Sequence, residues 1–367
     1  MGGTGIIVSL MLRTNRPFRH ALYLVALFSL ATHAPAADTQ VLSRIAFGSC
    51  SHQGMVKDQS QAIWKPILAN KPDLFLFLGD NIYSDTYDNT NKWKKYLQLG
   101  ALPGFKALKK MCPMLATWDD HDYGLNDSGA EFREKVVSQK LFMDFWGVPE
   151  KSPRRKREGI YDAQIFGPPG RRVQVIMLDT RYFRGPLLRN PIRGPNEGKY
   201  IANHDRSSSM LGPAQWAWLA DQLSRPAEVR LLCSSIQVLA QDHGWERWMT
   251  LPHERTKLFN LIRNSGAEGV IILSGDRHVA ELSRMNNGPG GYPLYDITSS
   301  GLTMTYEIES EPNRWRVGEM YCPNNFGIIA IDWSKRDPRI TLQIRNVHNR
   351  IPIEDSFPLS RLRRAKK

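Results

Sequence analysis

The sequence of 367 residues predicts a mixed α/β sandwich, in which two mixed β-sheets pack face to face and helices lie outside. Two observations favour this fold. Strand-like runs of β-branched and large apolar residues alternate with helix-like stretches from about residue 41 to residue 350. The early runs are apolar almost throughout, which is typical of strands covered on both faces. Charged residues at 23% and aromatic residues at 10% are globular values, and the length permits one large core.

The predicted elements follow from these patterns in chain order. The first strands end in Gly, Asp or Ser or close to such a residue, and they cover Arg44–Gly48, Leu74–Leu78, Met114–Trp118, Val173–Leu178, Val229–Cys233 and Gly269–Leu273. Helices are predicted between several of them, at Ala62–Ala69, Glu131–Trp146, Pro213–Ser224 and Pro252–Ser265. Three later runs predict a closing antiparallel group, at Leu294–Thr298, Phe326–Asp332 and Ile340–Ile344. Gly- and Pro-rich segments near 185–198 and 286–293 predict long surface loops.

The N-terminal segment has the layout of a secretory signal, so residues 1–36 are excluded from the fold prediction. Arg13, Arg16 and Arg19 precede an apolar stretch from Ala21 to Ala31, and small residues follow it. Because that stretch is too short to span a bilayer comfortably, we expect export with cleavage, with an uncleaved anchor as the alternative. The arginines are separated, which indicates a Sec-type signal rather than a twin-arginine signal. The expected location is the periplasm or the extracellular space.

Positive charge exceeds negative charge by 13 at pH 7. Part of the excess lies in two runs, Arg154–Arg157 and Arg361–Lys367. Such runs suit an anionic surface, although a solvated loop and a solvated tail are the simpler interpretation. We therefore predict a basic C-terminal tail over residues 359–367 that is able to contact an anionic surface. No recognition-module pattern predicts specific binding of nucleic acid.

The chain contains four cysteines, Cys50, Cys112, Cys233 and Cys322. In an exported protein an even number permits two disulfides, but four in this length is not the density of a disulfide-stapled scaffold. One of them is therefore available for another purpose.

Side chains of metal-ligand type follow directly after four of the predicted strands. They are Cys50, then Asp80 and Tyr83, then Asp119, Asp120, His121 and Asp122, and finally Asp276 and His278. Each cluster alone has a simpler explanation, since Asp after Gly is often a turn residue and a lone Cys is often a small buried hydrophobe. Groups at the carboxyl ends of neighbouring strands converge on one crevice, so we expect a single site. Thiolate, phenolate and imidazole suit a transition metal, whereas carboxylates suit a hard cation. Two adjacent metals favour phosphoryl displacement by an activated water.

Five motifs in order along the chain resemble those of the alkaline phosphatase D (PhoD-like) family. They are Phe-Gly-Ser-Cys50, Gly-Asp-Asn-Ile-Tyr83, Trp-Asp-Asp-His-Asp122, Leu-Asp-Thr-Arg181 and Ser-Gly-Asp-Arg-His278. That family is a branch of the calcineurin-like metallophosphatases and is related to purple acid phosphatases. The resemblance covers about residues 43–350 and implies a catalytic domain over 38–358 with four αββα layers.

The same resemblance implies a phosphoric ester hydrolase. Its substrates would be phosphate monoesters, with diesters left open, attacked by a metal-activated hydroxide. One alternative is a phosphodiesterase of phospholipase D type acting on lipid or polymer. An alternative of another class is a non-catalytic binding protein stabilised by metal. We expect a monomer.

The resemblance also implies a role for each ligand. The residues that would hold a ferric ion are Cys50, Asp80, Tyr83 and His278. Asp80 would bridge to a second site. There, Asp120 and Asp276 replace the Asn and His of the wider superfamily, and two carboxylates favour Ca²⁺ over Zn²⁺ or Mn²⁺. The expected cofactors are Fe³⁺ with one or two Ca²⁺, and other divalent metals remain open.

His121 matches the catalytic histidine of the superfamily and would protonate the leaving oxygen or stabilise charge on phosphorus. Asp119 or Asp122 would orient it. Arg181 would bind a phosphate oxygen through its planar guanidinium group. The alternative for Arg181 is a plain ion pair with Asp179 or another carboxylate.

Two weaker candidates complete the set of ligands. Asn126 would support the calcium site, and Gln237 stands near a position where the superfamily has another His. His243 is also of ligand type. Because Trp245 and Trp248 surround it, we interpret its segment as a rim loop that shapes the pocket.

Overall fold

A computed structural model describes residues 39–53, 60–192 and 198–365. The predicted signal segment, residues 1–36, lies outside these described residues, as does the end of the predicted tail, residues 366–367. Within the described ranges no helix is both long enough and apolar enough to cross a membrane.

The strands and helices of the described residues follow in chain order. The strands are β1 (Arg44–Gly48), β2 (Leu74–Leu78), β3 (Met114–Thr117), β4 (Asp162–Phe166), β5 (Val173–Met177), β6 (Leu188–Arg189), β7 (Tyr200–Ile201), β8 (Val229–Cys233), β9 (Val270–Ser274), β10 (Ala280–Met285), β11 (Leu294–Ser299), β12 (Asn325–Asp332), β13 (Arg339–Asn346) and β14 (Ile353–Pro358). The α-helices are α1 (Trp64–Ala69), α2 (Asn89–Ala101), α3 (Pro103–Met111), α4 (Asp120–Tyr123), α5 (Lys135–Phe145), α6 (Gly212–Ser224) and α7 (Pro252–Ser265). Short 3₁₀ helices cover Ser60–Ile63, Pro153–Lys156, Trp248–Thr250 and Leu359–Leu362.

Two six-stranded mixed sheets form the body, with strand orders β14-β13-β12-β1-β2-β3 and β10-β11-β9-β8-β5-β4. In the first sheet β1, β2 and β3 run parallel, and in the second β5, β8, β9 and β11 run parallel. In the first sheet β12, β13 and β14 pair antiparallel beside β1, and in the second sheet the edge strands β4 and β10 pair antiparallel. The predicted fold of two mixed sheets with helices is confirmed. Parallel strands place the loops at their carboxyl ends along one edge of each sheet.

Strand β2 shows why its sequence is apolar at every position. Leu74, Leu76 and Leu78 belong to the core between the two sheets, which also contains the inward residues of β5 and β8. Phe75 and Phe77 point the other way and pack under α1, α2 and α3. Because successive side chains of a strand alternate between faces, a strand covered on both sides needs an unbroken apolar run.

The structure corrects one part of the predicted topology. Strands β12, β13 and β14 do form an antiparallel group, but β11 lies in the other sheet, parallel to β9 and antiparallel to β10. All six residues of β11 are buried, as expected for a strand inside a sheet with covered faces. Its own pattern does not specify its neighbour. The sequence interpretation also did not identify α2, α3, β4, β10 and β14.

The four cysteines carry free thiols, and all four lie in the described residues. Cys112 and Cys233 are buried inside the body. The beginning of the predicted basic tail also packs on the body, because Leu359 and Leu362 of the last 3₁₀ helix are buried.

Candidate metal centre

The loops after β1, β2, β3 and β9 bring the predicted ligands together. Their ligand atoms form three overlapping groups, each within 4.8 Å: Cys50, Asp80 and His278; Asp80, Asp120 and His121; and Asp80, Asp119, Asp120 and Asp276. Asp80 belongs to all three groups. It is therefore placed as a carboxylate shared between two neighbouring sites, one with thiol and imidazole and one with carboxylates alone.

The backbone of this cluster is strained at four of its ligand residues. Cys50, Asp80, Asp276 and His278 have φ of 61°, 49°, 69° and 56°, the left-handed region that non-glycine residues seldom adopt. Such conformations cost about 1–3 kcal/mol each and persist where the surrounding structure imposes them, often at functional sites. Gly79 also has a positive φ, and a Cβ there would lie 2.6 Å from the Cβ of Asp119. Close approach of the loops after β2 and β3 therefore requires glycine.

Asp80 is 1% exposed and accepts hydrogen bonds from several site groups. The Cys50 Sγ lies 3.4 Å from its Oδ2, the Tyr83 hydroxyl 3.3 Å from the same oxygen, and the His121 backbone nitrogen 3.4 Å from its Oδ1. Burial and the neighbouring Cys50 raise the pKa of Asp80 well above its usual range. A bound cation would reverse this effect by stabilising the carboxylate.

Tyr83 lies against the same cluster. Its ring centroid is 4.3 Å from that of His121 and 4.8 Å from that of His52, and its side chain is buried. Burial and the Asp80 carboxylate raise the pKa of the Tyr83 phenol well above its usual range. A phenolate ligand at this position therefore requires a cation that offsets both effects.

The side chains of the cluster fit a pair of metal ions. Buried Asp119 Oδ2 and Asp120 Oδ1 have no hydrogen-bond partner among the described residues. Burial, followed by repulsion from Asp119, also raises the pKa of Asp276 well above its usual range. Buried carboxylates this close together need protons or cations, and unsatisfied buried oxygens are ready acceptors for a cation. Thiol, phenol and imidazole on one side of Asp80 suit a transition metal, and carboxylates on the other suit a hard cation.

His121 lies at the mouth of the cluster, with its side chain 16% exposed. Its Nδ1 is 2.7 Å from Oδ2 of Asp85, so Asp85 and not the predicted Asp119 or Asp122 makes the orienting contact. Burial alone would lower the pKa of His121, but the Asp120 and Asp80 carboxylates and the hydrogen bond to Asp85 together raise it to about 12.

Asp119 and Asp122 shape the backbone instead. The backbone nitrogen of Asp119 donates to Asp122 Oδ1 over 2.7 Å, in a capping arrangement at the start of α4. Asp122 also accepts from the side-chain amide of Asn81. These contacts explain part of the run of three aspartates around one histidine. Asp122 holds the turn through the Asp119 backbone, whereas the carboxylates of Asp119 and Asp120 lie in the carboxylate group of the cluster.

Arg181 is fully buried and pairs with carboxylates. Its Nε donates to Asp119 Oδ1 over 2.5 Å, its Nη1 to Glu246 Oε2 over 2.7 Å, and its Nη2 lies 3.7 Å from Asp120 Oδ1. Arg184 Nε is 3.0 Å from the other oxygen of Glu246. The ion-pair alternative for Arg181 is thus the arrangement observed, with Asp119 and Glu246 as the partners of its side chain.

The weaker candidates make hydrogen bonds to other residues. Gln237 uses its amide for other contacts, because its Nε2 donates to Glu281 over 2.6 Å and its Oε1 lies 3.0 Å from His243 Nε2. Asn126 is exposed and donates to Asp127. His243 belongs to none of the groups of close His, Cys, Asp and Glu atoms found among the described residues.

Sequence reasoning missed three residues that support the site. Asp85 orients His121, Glu246 pairs with Arg181, and the backbone nitrogen of Asp127 donates to Asp120 Oδ2 over 2.6 Å. Asp85 lies two residues after Tyr83, and this proximity to a predicted ligand could have identified it. No local pattern distinguishes Glu246 or Asp127 from ordinary loop residues.

Two mixed sheets with a carboxylate shared between two ligand groups at the strand ends define the metallophosphatase class of fold and site. The family described as PhoD-like phosphatase matches residues 93–312, more than half of the chain, and the chain belongs to that family. The predicted family is therefore confirmed. Cys50, Asp80 and Tyr83 precede the matched residues, so their place in the site rests on the geometry above.

Three known proteins show the range of similarity. Alkaline phosphatase D of Bacillus subtilis (strain 168) is 23% identical over 290 residues, which cover 69% of this chain and 48% of that protein. The chain thus spans about half the length of this curated relative. The solved structure of PhoD matches with a TM-score of 0.67 at 17% identity, covering 89% of this chain and 70% of that one. Purple acid phosphatase PPD1 from yellow lupin (Lupinus luteus) seeds matches with a TM-score of 0.59 at 11% identity, covering 88% and 55%. At these identities the structures show the shared fold.

Proposed function

We propose that this protein is a metal-dependent phosphoesterase that hydrolyses phosphate monoesters, and diesters as a second substrate class, at the cluster around Asp80. The observation that carries the proposal is the sharing of the Asp80 carboxylate between two chemically different ligand groups, with His121 close to Asp80 and Asp120. Membership of the PhoD-like family and likeness to proteins named as phosphatases support it.

Two kinds of cation suit the two groups. Fe³⁺ would be held by Cys50, Tyr83 and His278 together with Asp80. One or two Ca²⁺ would be held by Asp120 and Asp276 with the same Asp80, and other divalent metals share this preference for carboxylate ligands. When bound, the pair would activate a water molecule and offset the charge of the phosphoester. EGTA treatment is expected to abolish hydrolysis, and undiminished turnover without calcium would reject the calcium assignment.

His121 would act as the general acid. Since its Nδ1 contacts Asp85, its Nε2 is the ring nitrogen available to a substrate. A protonated imidazole held there can donate to the leaving oxygen as the ester bond breaks, a contribution of about 10²- to 10⁴-fold in rate. Asp85 fixes the orientation of the ring.

Arg181 would act as a positioning residue. Its three nitrogens lie against Asp119, Asp120 and Glu246, and its guanidinium is fully buried. The Asp127 backbone nitrogen holds the other oxygen of Asp120. The two contacts together fix Asp120 in the orientation in which it faces the cluster.

We also propose that the protein is exported through a cleaved Sec-type signal in residues 1–36. Support comes from the sequence alone: separated arginines, a short apolar stretch and small residues before Asp38. Mass spectrometry of the protein recovered outside the cytoplasm should find a mature N-terminus near residue 37. An intact N-terminus in that fraction would reject cleavage.

Hydrolysis assays with para-nitrophenyl phosphate and bis-para-nitrophenyl phosphate test the function and separate monoesterase from diesterase activity. Asp80→Asn should abolish turnover, and His121→Ala should reduce kcat by about 10²- to 10⁴-fold. His348→Ala is the matched control and should retain the wild-type rate, because it changes an exposed histidine in the turn between β13 and β14 that belongs to none of the groups of close ligand atoms. Unchanged rates in both site variants would reject the catalytic role of the cluster. Bound metal without hydrolysis of either ester would instead indicate a metal-stabilised binding protein, and activity restricted to phospholipids would indicate a phospholipase.

A further inference from the structure

Exposed aromatic rings are concentrated around the candidate metal centre. Among the described residues the exposed aromatic side chains are Tyr87 at 43%, Trp245 at 43% and Tyr306 at 51%. Each lies on a segment that contacts the site: Tyr87 is two residues after Asp85, Trp245 precedes Glu246, and the Tyr306 backbone nitrogen donates to the His278 carbonyl over 3.3 Å. Exposed apolar groups gathered beside a candidate site indicate a ligand surface.

The Tyr306 ring rests on a candidate metal ligand. Its centroid lies 4.4 Å from that of His278, and the His278 Nδ1 is 3.0 Å from the Met304 carbonyl oxygen. Farther along the same segment, Glu311 pairs with Arg277 over 2.5 Å. The segment is therefore fastened on both sides of Tyr306, which keeps the exposed ring beside the centre.

Trp245 lies against Arg277, the residue that precedes His278 in the chain. The guanidinium carbon of Arg277 lies 5.5 Å from the Trp245 ring centroid. The loop is held by hydrogen bonds, since the Trp245 backbone nitrogen donates to His243 Nδ1 over 3.2 Å and Arg247 donates to the Trp245 carbonyl over 2.6 Å. Because Arg277 and His278 are consecutive, the two rings flank the same short stretch next to the metal cluster.

Tyr87 differs from the other two rings. Phe132 stacks on it at 5.1 Å with an interplanar angle of 18°, and the Arg133 guanidinium lies 4.2 Å from its centroid. These partners occupy its faces. Among the described residues Trp245 and Tyr306 each have one such ring contact, with Arg277 and His278, so fewer of their faces are covered than those of Tyr87.

We propose that Trp245 and Tyr306 form a binding surface for a planar aromatic group on the alcohol side of the phosphoester. The inference rests on the proposed phosphoesterase function and narrows its substrate class to aryl or nucleobase-bearing esters. Aromatic rings bind one another through offset or edge contacts, and bases stack on aromatic side chains in the same way. Exposed Glu307 and Glu309 on the Tyr306 segment disfavour additional phosphates, so the class is esters with a single phosphate.

Matched esters test the proposal. Benzyl phosphate is compared with cyclohexylmethyl phosphate, and adenosine 5′-monophosphate is compared with ribose 5-phosphate. If the enzyme hydrolyses diesters and not monoesters, the methyl diester of each compound is used instead. The members of a pair share the type of leaving oxygen and differ in the aromatic group. We expect kcat/KM to be about tenfold higher for the aromatic member of at least one pair. The pair that shows this difference tells whether the surface binds a simple aryl group or a nucleobase. Trp245→Leu and Tyr306→Leu should each lower that ratio about threefold, while Tyr87→Leu should leave it unchanged.

A binding measurement separates this inference from the proposed function. Benzylphosphonate should bind the wild-type protein more tightly than cyclohexylmethylphosphonate, and Trp245→Leu should remove the difference. If both esters of each pair are hydrolysed equally well by the wild type, the aromatic surface is rejected while the phosphoesterase stands. If no ester is hydrolysed but the phosphonates differ as expected, the surface stands and the phosphoesterase is rejected. Equal phosphonate affinities in wild type and variants overturn the surface directly.

Discussion

Replacement of Arg181 by methionine should destabilise the folded protein far more than loss of a surface ion pair. The guanidinium lies between Asp119 and Glu246, at 2.5 Å and 2.7 Å, and all three side chains are buried. Methionine retains most of the apolar stem but removes the charge. The variant would therefore leave Asp119 enclosed without its cation, in a place where water cannot solvate it, and would leave Glu246 with Arg184 alone.

The size of the effect follows from this geometry. Removing one partner of a buried ion pair costs about 3–5 kcal/mol, because the remaining charge stays desolvated. A folded domain is stable by only about 5–15 kcal/mol, so the loss is a large share. Arg225→Met is the matched control: its partner Asp221 is 3.0 Å away on the exposed face of α6, and such pairs contribute at most about 1 kcal/mol.

Urea unfolding of chelator-treated protein, followed by tryptophan fluorescence, measures these differences. Metal is removed because bound cations would offset the same carboxylates. Adding Asp119→Asn to Arg181→Met should recover part of the lost free energy of unfolding, since the carboxylate that lost its cation becomes neutral. If Arg181→Met fails to fold, Arg181→Lys provides the comparison, because it keeps the charge and loses the planar fork. A cost below 1 kcal/mol for Arg181→Met, equal to that of the control, would refute the proposed positioning role.

Three further predictions follow from individual contacts. Asp85→Asn should lower kcat about tenfold with little change in KM. It should also move the alkaline limb of the pH–rate profile to lower pH, because Asp85 helps to raise the pKa of His121. An unchanged profile would contradict this prediction. Lys92 is fully buried, and burial lowers its pKa from 10.5 to about 8. The unfolded chain therefore holds this proton more tightly than the folded protein does. The free energy of unfolding should rise with pH between these two values, by up to about 3 kcal/mol. Urea midpoints measured from pH 7 to pH 10 should lose that rise in Lys92→Met, and an equal rise in both proteins would show another origin. Tyr83→Phe should remove any visible tyrosinate-to-iron absorption band while the iron content is measured in parallel, and a band that persists would remove Tyr83 from the ligand set.

The position of the site could be predicted because the strands that carry it are unusually clear. Strand β2 is buried on both faces, so its sequence is continuously apolar and ends abruptly at Gly79 and Asp80. Strands of this kind run parallel inside a sheet, and their carboxyl ends meet. This physical rule is sufficient to bring Cys50, Asp80 and His278 together from the sequence alone.

The partners within the site could not be predicted in the same way. Asp85, Asp119 and Asp122 are equally plausible neighbours of His121 in sequence. The turn at the start of α4 directs Asp122 to the Asp119 backbone, the Asp119 carboxylate pairs with Arg181, and the His121 ring meets Asp85. Glu246 pairs with Arg181 across 65 residues, a contact set by loop packing. Strand β11 illustrates the same limit in the fold, because an apolar run specifies burial and not which strand lies beside it.

The most direct test of the account is the phosphoesterase rate of the same protein sample before and after its metals are removed and restored, with the metal content measured at each stage. The account predicts that stripped protein hydrolyses neither nitrophenyl ester, that iron and calcium together restore the rate, and that Asp80→Asn protein binds less metal and remains inactive. Full hydrolysis by protein shown to contain no metal would contradict it.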